Sequence, residues 1–112
     1  MDYPGLIESV RALSNKINDS EGFPFPGYIL SDLRGTEAHK NVLNRLWAIM
    51  GPYFKGEEMR PNRLQAVSFL FGRPVASFNE LRVSDVYALG QLSHTDDLRF
   101  LLEDFANDRP VR

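Results

Sequence analysis

The chain contains no cysteine. That absence excludes a disulfide framework, a thiolate zinc site, an iron–sulfur cluster and a thiol nucleophile. It also fits a reducing, cytoplasmic setting. Histidine is nearly as scarce. His39 and His94 are the only two, and neither has a second histidine at a metal-ligand spacing such as i+4. Phosphate-cradling glycine loops, Gly-x-Ser-x-Gly and His-Glu-x-x-His are missing. The nearest imitation, Gly51-Pro52-Tyr53-Phe54-Lys55-Gly56, lacks the closing Gly-Lys-Ser/Thr order. No apolar run approaches the roughly 18–20 residues of a membrane helix. Met1-Asp2-Tyr3-Pro4-Gly5 has neither the basic nor the apolar region of a signal peptide. Net charge is only −2, so no bulk field draws the molecule to nucleic acid or anionic lipid. The expectation is a non-enzyme with no cofactor, no metal and no membrane segment.

What is present reads as one ordinary globular domain. It has 112 residues, 43 % hydrophobic and 25 % charged, enough to bury a core unaided. Apolar spacing is helical throughout. Leu6, Val10, Leu13 and Ile17 form one stripe between about Pro4 and Asp19. Thr36 is an N-cap for a helix over about 37–51, with Leu43, Leu46, Trp47 and Met50 on its apolar face and Pro52 at its end. Trp47 is expected in the core, packed by Leu43 or Met50 and by a residue of the next helix. That helix starts at Pro61 or Asn62, is apolar on most sides, and stops at Gly72 with Pro74 beyond it. Ser77 and Glu80 stand at capping-box spacing in a connector anchored by Val75 and Leu81. Ser84 is the expected N-cap of a fourth helix, in which Gly90 marks a close helix approach. Thr95 caps a fifth, with Leu98, Leu101, Leu102 and Phe105 inward, and Asp108 to Arg112 is a fraying tail. No convincing period-2 segment exists. The fold class is therefore all-α, a single bundle of about five helices with a Pro-aromatic loop after the first.

That loop, Gly22-Phe23-Pro24-Phe25-Pro26-Gly27-Tyr28, is broken by two prolines and two glycines. Its aromatics either lid the core or form an exposed docking site of Phe23, Phe25 and Tyr28. Pro26 to Leu33 holds a short helix ended by Gly35. Three acidic pairs, Glu57-Glu58, Asp96-Asp97 and Glu103-Asp104, fall in loops or on outer faces, where acid–base catalysis has no support.

Charge is unevenly spread. Residues 39–82 carry seven cations against three acids, a net of +4, and residues 83–108 carry one against six, a net of −5. Arg60, Arg63, Arg73 and Arg82 are candidate phosphate-binding residues, because arginine forks match phosphate oxygens. The competing expectation is that acids such as Glu80, Asp85, Asp96 or Glu103 hold at least two of them. A helix-turn-helix is rejected unless residues 77–81 form a helix, since about 12 residues separate the helices on either side of Gly72 and that motif needs 3–4. The reading ranked first is a protein-interaction module, of a shape common among phage or mobile-element accessory proteins. The alternative is a nucleic-acid-associated accessory protein that uses the arginine cluster.

Overall fold

Helix-forming stripes and their caps account for most of the architecture in the computed structural model, which describes residues 3–107. Five α-helices follow in order: α1 (Pro4–Asn18), α2 (Glu37–Met50), α3 (Arg60–Phe71), α4 (Val83–Leu92) and α5 (Asp96–Ala106). Short 3₁₀ turns occupy Leu30–Leu33, Glu57–Met59 and Phe78–Glu80. No strand occurs among the described residues. The one isolated bridge, Ile29 with Arg82, lays the Pro-aromatic loop along the entry to α4. The tail expected at 108–112 lies outside the described residues.

Helix α4 is the central element, packed by α1 on one side and α2 on another, while α5 covers α3. Its Val83, Val86, Ala88 and Leu89 are buried. They meet Leu6 and Val10 of α1 and Val42, Leu46 and Met50 of α2 in a single core. Burial of these side chains supplies the main driving force, at about 1.5–3 kcal/mol for each large one. The Thr36 hydroxyl accepts the His39 N–H at 3.2 Å, and α2 stops at Met50, where Pro52 removes a donor. Val75 and Leu81 anchor the connector as expected.

Three sequence expectations need correction. The buried stripe of α2 is Val42, Leu46 and Met50, so Trp47 sits at its edge, 37 % exposed rather than in the core. It does meet a residue of α3, as expected: the Arg63 guanidinium lies 5.0 Å from its ring. The N-cap of α4 is Arg82, not Ser84, and Asp85 three residues on accepts the Arg82 N–H at 3.0 Å. Finally, Gly90 is not forced by a tight approach. A Cβ there would stand 4.0 Å from the Arg45 and Ile49 side chains, an ordinary contact.

Gly72 is the opposite case. Its φ of 70° is left-handed, as a glycine stop to α3 requires. Arg11 of α1 crosses beside it and donates to the Leu70 and Phe69 carbonyls, satisfying the last turn of α3. A Cβ at residue 72 would come within 2.7 Å of that guanidinium. The two glycines therefore respond oppositely to alanine in urea denaturation. Gly90→Ala raises stability by about 0.5–1 kcal/mol through helix propensity. Gly72→Ala lowers it by more than about 1 kcal/mol.

Tyr3 ties the start of α1 to α5. Its buried ring places the hydroxyl 2.6 Å from Asp104 Oδ2, to which it donates. Burial, then the Asp104 bond and the nearby charges of Asp97 and Glu103, hold this phenol well above its ordinary range. The folded state thus keeps the proton more tightly than the unfolded chain. The associated stability is complete below about pH 10 and is lost as pH rises beyond it. Tyr3→Phe is expected to flatten that alkaline loss in chemical denaturation measured between about pH 8 and 11.

Candidate functional site

Ser14 breaks the apolar stripe of α1, one helical turn after Val10 and fully buried. It faces Ser84 and Asp85 at the start of α4, also fully buried. The Ser14 hydroxyl donates to Asp85 Oδ1 at 2.6 Å and lies 2.9 Å from Ser84 Oγ. Since its one proton goes to Asp85, the Ser84 hydroxyl must donate to Ser14. On its other oxygen Asp85 accepts from Arg73 at 3.0 Å and from the Arg82 N–H. The Arg82 guanidinium lies 3.4 Å from Oδ1 and also donates to Ser14 and to Asn15 Oδ1. A carboxylate this deep is tolerated only when charge and hydrogen bonds surround it. Its acceptor capacity is spent on these donors and none of its surface reaches solvent, so it serves as a clamp. The signal in the sequence was Ser14 itself, a polar residue at an inward position.

The four candidate phosphate-binding arginines do not form one exposed face. Arg73 and Arg82 converge on Asp85, the internal pairing weighed against phosphate binding. Arg63 is only 6 % exposed. It donates to the Gly56 carbonyl at 3.1 Å, lies 3.6 Å from Glu57, and stacks 5.0 Å from the Trp47 ring and 5.9 Å from Phe78. Arg60 alone stays exposed and free of acids among the described residues, with one bond to the Ala76 carbonyl. Two cations of the +4 segment are spent on Asp85, which α4 brings from the negative segment into the middle of the fold.

The aromatic candidates also divide. Phe23 and Phe25 are half-buried and pack against the core, so neither ring is the mostly exposed group a docking site requires. Phe23 meets Tyr87 of α4 edge-on at 5.4 Å, which makes the loop a lid. The Asn18 side chain fixes it by accepting the Gly27 N–H at 2.8 Å. Only Tyr28 is well exposed, and its backbone carbonyl accepts from Val83.

Sequence reasoning did not anticipate an open cleft of about 190 Å³ between α2, α3 and the 78–80 turn. Leu43, Trp47 and Leu64 give it apolar walls, and Arg60 and Arg63 line it with Phe78. The half-buried His39 bonds Asn79 at 2.8 Å, tying the start of α2 to the turn that frames the cleft. The Trp47 and Phe78 rings meet at 5.2 Å and 63°. Among the described residues no three histidine or carboxylate side chains gather as a metal site, and no helix is long and apolar enough to cross a membrane. No family model, curated protein or solved structure matches the chain, so the reading of this site rests on its own geometry.

The clamp makes an asymmetric prediction for thermal and urea unfolding. Asp85→Ala strands Arg73, Arg82 and Ser14 together and lowers stability by about 2–4 kcal/mol. Arg73→Ala costs about 1 kcal/mol, because its guanidinium is partly in solvent and Asp85 keeps its other donors.

Proposed function

We infer that the chain is a small, non-enzymatic helical module that binds another protein, acting in a reducing cytoplasm. The observation that carries this reading is the exposed Trp47 at the mouth of the α2–α3 cleft, braced by the Arg63 guanidinium and the Phe78 ring. Tryptophan and arginine dominate the few residues that carry most interface energy, and they do so when they are held rigidly beside an apolar pocket. Bracing lowers the ordering cost on binding, since the indole is already fixed. The cleft thus takes over the docking role first read into Phe23 and Phe25.

The nucleic-acid alternative has less support, because Arg73 and Arg82 are engaged by Asp85 and Arg63 is buried. One exposed arginine, Arg60, supplies at most one phosphate contact from that set. The test is capture of partner proteins from a lysate of the native cells by the immobilised chain. Trp47→Ala and Arg60→Glu are each expected to weaken capture at least about tenfold, the loss of one interface hot spot. Tyr28→Ala leaves it unchanged. A salt-sensitive DNA shift at physiological ionic strength, lost in Arg60→Glu and with no Trp47-dependent protein captured, would overturn the reading.

A further inference from the structure

The outer face of α5 carries an apolar side chain that the core does not use. Phe100 is 38 % exposed. Its helix neighbours at i−4, i−3, i+3 and i+4 are Asp96, Asp97, Glu103 and Asp104, all acidic. Asp96 is paired with Arg99 at 3.0 Å, and Asp104 accepts the Tyr3 hydroxyl. Asp97 and Glu103 make no ion pair among the described residues and are exposed. The Arg99 guanidinium lies 5.1 Å from the Phe100 ring, so this ring already attracts a cation. The feature is an aromatic knob in a collar of carboxylates.

The α2–α3 cleft has the complementary character. Its walls are mixed: Leu43, Trp47, Leu64 and Phe78 are apolar, Arg60 and Arg63 line it beside Ser77 and Asn79, and exposed Lys40 lies on the same outward stripe of α2 as Trp47. One surface offers a ring flanked by exposed Asp97 and Glu103, and the other offers an aromatic slot flanked by exposed Arg60 and Lys40, while buried Arg63 is matched by Glu57. Opposite potentials of this kind set register and exclude wrong partners.

We propose that the two surfaces are halves of one interface between copies of this chain. Phe100 of one copy enters the Trp47 cleft of a second, and Asp97 and Glu103 meet its Arg60 and Lys40. This names an occupant for the cleft and so rests on the reading of the cleft as a protein-binding site. Knob and socket are different patches, which makes the contact heterologous. One ring and a few exposed ion pairs form a small interface, so the association is weak and falls with salt.

Sedimentation velocity on the full chain tests this between about 10 µM and 1 mM protein. Association is expected to rise with concentration in about 0.05 M salt and to fall at least several-fold in about 0.5 M salt. Phe100→Ala and Arg60→Glu are each expected to be monomeric with unchanged melting, since both side chains are exposed. Mixed in equal amounts they should form a heterodimer. The first variant keeps an intact cleft and the second an intact knob. A chain that stays monomeric throughout would overturn the proposal, as would variants that associate like the parent or a mixture that remains monomeric. If another protein is still captured through Trp47 while the chain stays monomeric, the cleft reading stands and the second-copy occupant alone is wrong.

Discussion

A single buried carboxylate, Asp85, sets the relative position of α1, α4 and the connector between α3 and α4. A charge at that depth has no water to solvate it, so donors from three parts of the chain must converge on it. Apolar packing between α1 and α4 is nondirectional and would tolerate a slide along the helix axis. The hydrogen bonds do not. A one-turn slide moves Ser14 by about 5.4 Å, beyond reach of Asp85. The polar cluster therefore fixes the register of the helix pair that makes the largest contact in the fold.

The same cluster reorganises the surface charge. Read along the chain, the molecule is bipolar, with cations in the middle and acids near the end. Folding places one of those acids inside, where it engages two of the central arginines, and it lays a third arginine against a pair of touching aromatic rings. What reaches the surface is smaller in extent: an aromatic cleft beside α2 with one exposed arginine, Arg60, and an acidic face on α5 with Phe100 at its centre. The proposed function rests on these residual features rather than on the linear charge count.

Much of the fold was legible because helices announce themselves locally. Thr36, Pro61 and Gly72 mark ends through local backbone chemistry, and Thr95 stands at the N-cap of α5 although its hydroxyl donates to the Leu92 carbonyl instead of capping. Each lies within a residue or two of an observed boundary. Which edge of a wide apolar stripe faces inward is a tertiary property. Val42, Leu43, Leu46, Trp47 and Met50 span so broad an arc that rotation by one position decides whether Trp47 is core or rim, and α4 decides it. The docking loop misled for a related reason. Proline and glycine exclude regular structure but do not say whether the rings between them turn inward, and Tyr87 provides the seat that turns Phe23 in. The candidate site was least legible, since Arg63 meets Trp47 and Phe78 only after α2, α3 and the 78–80 turn assemble. Pairing of Ser14 with Asp85 spans 71 residues of sequence.

Native-state hydrogen exchange tests the clamp most directly. If Asp85 locks α1 to α4, the amides of Val10 and Ser14 in α1 and those of Val86 and Leu89 in α4 open together. They then share one free energy, equal to that of global unfolding. Exchange of the α1 amides at a clearly lower free energy than those of α4 would show that α1 detaches on its own, and would contradict the claim that the buried carboxylate holds the two helices as one unit.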